Sequence, residues 1–271
     1  MTDQPRIALN DGNSMPQLGY GVFLVPPPET KRLVADAIDV GYQAVDTATF
    51  YRNEAEVGAA VRESGKTIFV TTKLFNEDQG YDRALQAFDA SYKALGLETI
   101  DLYLIHWPKP ALDLYAESWK ALVRLRDEGR VKTIGVSNFT MVQLERIIHD
   151  TGVVPAVNQI ELHPYFQQVE LRAYHDESNI VTTSWSPLGR GGVLDDPVIA
   201  GIARKHGKTP AQVIIRWHID NGLTVIPKSS SRARQAENLD VFDFSLDADD
   251  IHAIAGLDRA DGRIGPDPDF L

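Results

Sequence analysis

The feature that most constrains the fold is the alternation of short β-branched, apolar runs with amphipathic helical stretches along 271 residues. Strands that alternate with helices form a parallel sheet, and eight such units in about this length are typical of a (β/α)₈ barrel. We therefore predict an α/β fold of this type, the TIM barrel. The eight predicted strands are Leu18–Val22, Ala44–Asp46, Ile68–Thr72, Ile100–Ile105, Thr133–Val136, Ala156–Ile160, Val181–Trp185 and Thr224–Pro227.

Two additions to the plain barrel are predicted at its ends. The segment Arg6–Gln17 carries the turn sequence Asn-Asp-Gly at its centre, which is typical of a β-hairpin, and we expect this hairpin to close the bottom of the barrel. Extra helices are predicted near the C-terminal end of the sequence, where apolar residues recur at helical spacing. These helices are Pro197–His206, Thr209–Asn221 and Asp247–Leu257.

The alternative architecture for such a chain is an open, doubly wound sheet. Its dinucleotide-binding fingerprint needs three glycines, and Gly19–Leu24, the best candidate, lacks the third. No Pro/Gly/Ser linker and no abrupt change of composition marks a boundary within the sequence. We therefore expect residues 1–271 to form one barrel domain.

Charge and composition exclude several classes of function. The chain has 27 Lys and Arg against 38 Asp and Glu, a net charge of −11, so it should repel nucleic acid and anionic lipid. With no Cys, a thiolate nucleophile, a disulfide or a Cys-ligated metal is impossible. The histidines show no paired metal-ligand spacing, and Met1–Pro5 does not resemble an export signal. We expect a cytoplasmic protein without a bound metal.

Polar side chains follow the predicted strands at their carboxyl ends. In a (β/α)₈ barrel the functional site lies at this end, so these residues are expected to converge. Each one alone is explained as well by a loop cap, a solvated charge or a buried structural histidine. Together they indicate a site. They are Asp46, Lys73, His106, Ser137, Asn138, Gln159, Trp185 and Lys228.

Three stretches around these residues resemble the signature motifs of the aldo-keto reductases, in the same order along the chain. Further likenesses at the strand ends extend the resemblance over nearly the whole sequence. One departure is Gln43, where many members of the family have Arg. The three stretches are Gly41–Ala48 with Tyr51, Asn53 and Glu54; Lys132–Phe139; and Ile226–Ser229 with Arg234, Glu237 and Asn238.

Within that family the chain most resembles the bacterial 2,5-diketo-D-gluconate reductases. The likeness lies in His106-Trp107-Pro108, in Ser184–Pro187 and in Asn238–Phe244. The resemblance implies NADPH-dependent reduction of aldehydes, ketones or dicarbonyls, of the 2,5-diketo-D-gluconate or methylglyoxal type, to alcohols.

The resemblance also implies four catalytic residues. Hydride delivery to a carbonyl builds an alkoxide, and Tyr51 would donate its proton as general acid. An unperturbed phenol is a weak acid, so we expect the ammonium of Lys73 to lower the pKa of Tyr51, with Asp46 holding Lys73 in place. His106 would orient the carbonyl oxygen as a neutral hydrogen-bond donor.

The cofactor and substrate residues are implied in the same way. Ser137, Asn138 and Gln159 would hold the nicotinamide carboxamide, and Trp185 would stack on its ring. The loop that carries Ser186, Leu188 and Gly189 would cover the pyrophosphate. Residues near the adenine end would bind the 2′-phosphate, with Arg232 as a rival to Arg234. These adenine-end residues are Lys228, Ser229 and Arg234, and the C-terminal motif adds Glu237 and Asn238 to the residues implied to bind the cofactor.

Three aromatic residues that follow strands, Phe23, Phe75 and Trp107, are predicted to form the substrate wall, although core packing explains each nearly as well. Trp119 and Trp217 lie in helical patterns and are predicted to be core residues. We expect a monomer that binds a small carbonyl compound. The alternatives are a nicotinamide-sensing regulatory protein of the same fold with little turnover, and a barrel lyase or hydrolase that acts without nicotinamide.

Overall fold

In a computed structural model of the chain, which describes residues 4–271, an N-terminal hairpin precedes a barrel of eight parallel strands. The hairpin strands β1 (Arg6–Ala8) and β2 (Ser14–Pro16) pair antiparallel. The barrel strands follow in chain order, each paired with its neighbours in sequence. They are β3 (Tyr20–Gly21), β4 (Ala44–Asp46), β5 (Phe69–Leu74), β6 (Ile100–Ile105), β7 (Val131–Ser137), β8 (Val157–Glu161), β9 (Val181–Trp185) and β10 (Thr224–Val225).

The barrel closes between its first and last strands. Leu18, just before β3, forms a parallel bridge with Val225 of β10. The backbone N–H of Gly19 donates to the carbonyl of Val225, and the N–H of Val225 donates to the carbonyl of Gln17, both at 2.9 Å. The predicted (β/α)₈ barrel is therefore confirmed.

Ten α-helices are described; eight of them lie in the seven connections between barrel strands, and two follow the last strand. Among the residues that end these helices are Gly41, Gly96 and Gly152, which have positive φ and cap the last turn without strain. The helices are α1 (Pro27–Val40), α2 (Glu54–Ser64), α3 (Tyr81–Leu95), α4 (Tyr115–Asp127), α5 (Met141–Thr151), α6 (Val169–Glu177), α7 (Pro197–His206), α8 (Pro210–Asp220), α9 (Arg232–Leu239) and α10 (Ala248–Ala255).

The first and last barrel strands are shorter than predicted. β3 was expected over Leu18–Val22 and β10 over Thr224–Pro227, but regular pairing is restricted to Tyr20–Gly21 and Thr224–Val225. Pro227 has no N–H for a ladder bond, and Leu18 makes only the single bridge that closes the barrel. Conversely, β5 continues past its predicted end to Leu74, which brings Lys73 into the strand.

The hairpin closes the amino-terminal end of the barrel, as predicted. The side chain of Asn10 donates to the backbone carbonyls of Pro155 and Asn179, and that of Asn13 donates to Thr133 Oγ1 at 3.1 Å. Leu9 and Met15 of the hairpin pack against the apolar residues at the bottom of the barrel interior. Apolar side chains therefore fill the amino-terminal end of the barrel interior, and the polar groups lie at the opposite, carboxyl end.

The predicted core tryptophans are confirmed, since Trp119 and Trp217 are buried between helices and sheet. Helix packing is close enough around α2 that a side chain at Gly58 would place its Cβ 1.9 Å from the carbonyl oxygen of Leu95. No helix within residues 4–271 is long and apolar enough to cross a bilayer.

Candidate active site

A cavity of about 580 Å³ opens at the carboxyl end of the barrel. Most of the polar residues predicted from the strand ends converge on it. Thirteen of the sequence-predicted site residues contribute to its lining: Phe23, Asp46, Tyr51, Phe75, His106, Trp107, Ser137, Asn138, Gln159, Trp185, Ser186, Leu188 and Lys228.

An ion pair lies at the base of the cavity. Lys73 on β5 is fully buried, and its Nζ donates to Asp46 Oδ1 at 2.5 Å and to the carbonyl of Thr47 at 2.9 Å. Burial lowers the pKa of Lys73, and the charge of Asp46 opposes this shift. The second oxygen of Asp46 accepts a hydrogen bond from Gln159 Nε2 at 2.7 Å. The carboxylate therefore connects β4 with two other strands of the barrel.

Tyr51 ends the short 3₁₀ turn Thr49–Tyr51 that follows β4. Its loop is held by two buried anchors: Thr49 Oγ1 donates to the carbonyl of Lys73 at 3.0 Å, and Asn53 Oδ1 accepts from Thr47 Oγ1 at 2.7 Å. The Nζ of Lys73 lies 5.3 Å from the centre of the Tyr51 ring. The sequence therefore folds so that the phenol stands over the ion pair, with its ring in the cavity lining.

The expected direction of the Tyr51 pKa shift is wrong for the site without ligands. Burial raises the pKa of Tyr51 well above its usual value, and the negative charge of Asp46 raises it further. The ammonium of Lys73 points to Asp46 and Thr47, so its charge is already largely balanced. The phenol is consequently protonated throughout the working pH range, as a proton donor must be.

His106 follows β6 and faces the Tyr51 ring, with ring centres 5.8 Å apart and planes at 77°. Burial lowers the pKa of His106 well below its usual value, and the charge of Lys73 lowers it further. The imidazole is therefore neutral at pH 7. Its Nδ1 is buried without a hydrogen-bond partner among the described residues.

A network of amides and hydroxyls joins the ends of β7, β8 and β9. Asn138, in the left-handed conformation that Asn tolerates (φ 63°), donates to the carbonyl of His106 at 3.0 Å and accepts from Trp185 Nε1 at 2.7 Å. The Ser137 hydroxyl donates to the carbonyl of Gln159 at 2.8 Å. These bonds fix the indole and place the polar residues on one side of the cavity.

The loop after β9 forms another part of the wall. Ser186 and Leu188 line the cavity, whereas Gly189 lies behind it, against Val193 and His163. Ser186 and Gly189 both have positive φ, at 49° and 54°. The loop therefore turns sharply and runs over the cavity edge next to Trp185.

The basic residues after β10 are exposed. Lys228 reaches the cavity and makes no ion pair within residues 4–271. Ser229 is buried, and its hydroxyl accepts from the N–H of Ser231 at 3.1 Å. Arg234 lies exposed in the first turn of α9 and is free of acidic partners in the described part of the chain. Its rival Arg232 is paired with Asp36 at 3.0 Å.

Two further predicted residues lie on α9, away from the cavity. Glu237 accepts a hydrogen bond from Thr209 Oγ1 at 2.8 Å, and Asn238 is buried on the same helix. Both stand about one helical turn beyond Arg234. The structure does not bring them into the cavity lining.

The substrate side of the cavity has more aromatic residues than were predicted. Besides Phe23, Phe75 and Trp107, Phe50 lines the cavity and stacks on Phe75, with ring centres 5.1 Å apart. Sequence reasoning missed Phe50, although its position next to Tyr51 was a usable signal. Other missed lining residues are Gly21, Leu24, Asn76, Pro187, Arg190, Ile226, Pro227, Pro266 and Leu271.

Comparison with known proteins identifies relatives over nearly the full length. The model of the aldo/keto reductase family matches residues 17–259. An aldo-keto reductase of Mycolicibacterium smegmatis is 56% identical over 97% of both chains. The methylglyoxal reductase DkgA of Escherichia coli K12 is 50% identical over 99% of this chain and 98% of its own.

Solved structures agree with this result. The crystal structure of a variant of Gox0644 in complex with NADPH superimposes with a TM-score of 0.97, at 56% identity over 99% of both chains. An aldo-keto reductase from a deep-sea metagenome library has a TM-score of 0.94 at 40% identity, over 97% of this chain and 98% of its own. The chain belongs to the aldo/keto reductase family.

Proposed function

We propose that this protein is an NADPH-dependent carbonyl reductase in which Tyr51 is the general acid. The observation that carries the proposal is the arrangement at the base of the cavity. A neutral imidazole, His106, and a protonated phenol, Tyr51, stand together over the buried Lys73–Asp46 pair. A carbonyl oxygen between the two rings would meet two uncharged donors.

The residues present fit NADPH. The cofactor is acidic. Lys228 lines the cavity and Arg234 lies six positions further along the chain; both are exposed cations without acidic partners within residues 4–271. Such groups bind phosphate in a chain whose net charge is −11. At the inner end, Trp185 offers an indole in the cavity wall, and its Nε1 is fixed by Asn138. We assign the carboxamide to Ser137, Asn138 and Gln159, and the 2′-phosphate to Arg234 with Lys228 and Ser229.

When bound, NADPH supplies the hydride. His106 then binds and orients the carbonyl oxygen through a ring nitrogen, and its low pKa keeps it a neutral donor that does not protonate the product prematurely. The Tyr51 hydroxyl donates its proton to the oxygen as negative charge develops there. Lys73 stabilises the phenolate that is left, and Asp46 holds the ammonium in place.

The proposed substrates are small aldehydes, ketones and dicarbonyls of the methylglyoxal or 2,5-diketo-D-gluconate type. Support comes from the branch motifs that end at Phe244 and from the 50% identity to a methylglyoxal reductase. We propose that residues 1–271 form a single barrel domain that acts as a monomer.

The test is a panel of carbonyl compounds at fixed NADPH, in which loss of the reduced nicotinamide absorbance is followed. We expect turnover with methylglyoxal and with 2,5-diketo-D-gluconate that depends on NADPH. Tight NADPH binding without turnover on any compound would favour the nicotinamide-sensing alternative. Product formation in the absence of nicotinamide would favour a lyase or hydrolase.

A further inference from the structure

A buried carboxylate next to the cavity has no part in the chemistry described above. Glu161 is the last residue of β8 and only 2% exposed. Within residues 4–271 it forms no ion pair with Lys or Arg, and His163 Nε2 lies 3.1 Å from its Oε1. Burial of a carboxylate is costly unless hydrogen bonds compensate it, so its bonding partners indicate what the residue does.

Those partners are two consecutive backbone amides from a distant part of the sequence. Glu161 Oε1 accepts from the N–H of Ile264 at 2.6 Å, and Oε2 accepts from the N–H of Gly265 at 2.7 Å. Charged acceptors make hydrogen bonds that are shorter and stronger than neutral ones. The carboxylate therefore fastens the C-terminal segment, residues 258–271, to the end of a barrel strand.

The fastened segment forms part of the substrate cavity. Gly265 packs so tightly that a Cβ there would lie 2.5 Å from Trp185 Cη2 and 2.7 Å from Glu161 Oε2. Beyond it, Pro266 and Leu271 line the cavity. The position of this wall is thus set where Gly265 meets the indole.

The segment has other contacts near Glu161: the N–H of Gln167 donates to Asp258 Oδ1 at 2.9 Å, and the N–H of Arg259 donates to the carbonyl of Tyr165 at 3.3 Å. Both lie at the start of the segment, before the residues that reach the cavity. Arg259 stacks on Tyr165 at 3.7 Å and Arg263 on Phe166 at 4.6 Å, as cation–π pairs. The Arg259 side chain remains 52% exposed, and exposed cation–π pairs contribute little. Glu161 is therefore the buried carboxylate that holds Ile264 and Gly265, next to the residues that line the cavity.

We propose that Glu161 is a positioning residue which holds segment 258–271 over the cavity and thereby limits the size of the carbonyl substrate. The size limit rests on the proposed reductase function; the anchoring does not. Glu161→Gln keeps the shape of the side chain but replaces one acceptor by an NH₂ group that faces a backbone N–H. The segment then loses a charged hydrogen bond and moves outward.

Trypsin tests the anchoring without reference to activity. The peptide bond between Arg263 and Ile264 itself carries the first anchored N–H, so its cleavage reports release of the segment. In Glu161→Gln we expect this cleavage to be at least about tenfold faster than in the wild type, the factor that loss of a charged hydrogen bond implies. Glu170→Gln is the matched control, because Glu170 is exposed on α6 and forms no ion pair within the described residues. Its cleavage rate should equal that of the wild type.

Steady-state kinetics test the size limit. With methylglyoxal and the bulkier phenylglyoxal at saturating NADPH, Glu161→Gln should shift the ratio of kcat/KM roughly tenfold towards phenylglyoxal, mainly through KM. Gly265→Ala should shift it in the same direction, because its new Cβ displaces the segment from Trp185. If Glu161→Gln does not fold, the Gly265→Ala variant alone tests the size limit.

The outcomes separate the two claims. Unchanged cleavage in Glu161→Gln and Gly265→Ala overturns the anchoring. Faster cleavage with an unchanged substrate ratio overturns the size limit. If the wild type reduces neither compound, the proposed function fails, while the cleavage result still decides whether Glu161 holds the segment.

Discussion

The two ends of the candidate site differ in how firmly their charged side chains are held by other residues. At the reaction end, Lys73 is fully buried and paired with Asp46, and His106 is 9% exposed beside Tyr51. At the phosphate end, Lys228 and Arg234 are exposed and form no ion pair within residues 4–271. The first end is built by barrel strands, and the second by a loop and the first turn of α9.

We infer from this difference that the two ends of the site have different roles. Strand ends have fixed positions, so groups that must act in a transition state are held there before any ligand arrives. Exposed cations gain order only when a phosphate pairs with them. We therefore expect substitutions at the reaction end to change kcat, and substitutions at the phosphate end to change cofactor affinity and choice.

The largest effect is expected for Tyr51→Phe, which removes the proton donor and leaves the ring in place. We predict that kcat falls by at least about 10²-fold, the scale of general acid catalysis, with NADPH affinity nearly unchanged. Tyr92→Phe is the matched control, since Tyr92 is on α3 and its hydroxyl donates to the carbonyl of Glu98 at the surface. Steady-state kinetics on a ketone check both. A Tyr51→Phe enzyme that keeps most of its kcat contradicts the assignment.

The next effect is expected at the phosphate end. Arg234→Ala should weaken NADPH binding about 10- to 150-fold, the range for one charged hydrogen bond, and leave NADH within about threefold. The loss should shrink as salt is added, because exposed charges are screened. Titration of each cofactor by quenching of tryptophan fluorescence measures this selectivity.

Arg232→Ala is the control, because Arg232 is two positions away but already paired with Asp36. Its NADPH affinity should be close to that of the wild type. Equal losses of NADPH and NADH in Arg234→Ala would show that Arg234 does not recognise the 2′-phosphate. A larger selective loss in Arg232→Ala would transfer the role to that residue.

The smallest predicted effect concerns the pH dependence of stability, through a buried histidine in the barrel wall, and not the reaction. Burial lowers the pKa of His175 to about 4, and its ring nitrogens contact Asn158 and Thr182. As the pH falls, this histidine is protonated near pH 6.5 in the unfolded chain but only near pH 4 in the folded protein. The stability that neutral His175 provides is therefore full above about pH 6.5 and is lost progressively down to about pH 4. Between about pH 7 and 5 the free energy of unfolding should fall by roughly 2 kcal/mol through this residue.

Urea unfolding at several pH values measures this loss. His175→Gln should be less stable at neutral pH because it loses its buried partners, but its stability should decline less steeply in acid. His149→Gln is the control, since the His149 side chain is 89% exposed. A pH slope in His175→Gln equal to that of His149→Gln would mean that His175 is not the group that takes up the proton.

The sequence predicts the reaction end better than the phosphate end, for physical reasons. Asp46, Lys73 and His106 stand at the ends of apolar strands, and the barrel brings all strand ends to one face. Tyr51 lies in a turn and was found only through its motif. Arg234 could be preferred to Arg232 only by family spacing. The structure adds a physical reason for preferring Arg234: Arg232 is already paired with Asp36, which lies 196 positions away in the sequence.

Other features could not be found in the sequence because they depend on distant contacts. The anchor of segment 258–271 joins Glu161 to an amide 103 positions away. The pKa of Tyr51 is raised by burial and by the charge of Asp46, and the sequence indicates the charge but not the burial. The short β3 and β10 depend on how the barrel closes between Leu18 and Val225.

The central claim is that the two ends of the site act independently, one on the chemistry and the other on the cofactor. A double-mutant cycle with Tyr51→Phe and Arg234→Ala, measured as kcat/KM for NADPH at saturating substrate, tests it most directly. We predict that the two losses, expressed as free energies, add to within about 0.5 kcal/mol. A coupling energy well above about 1 kcal/mol would show that the phosphate end acts on the proton-transfer step, and would contradict this account.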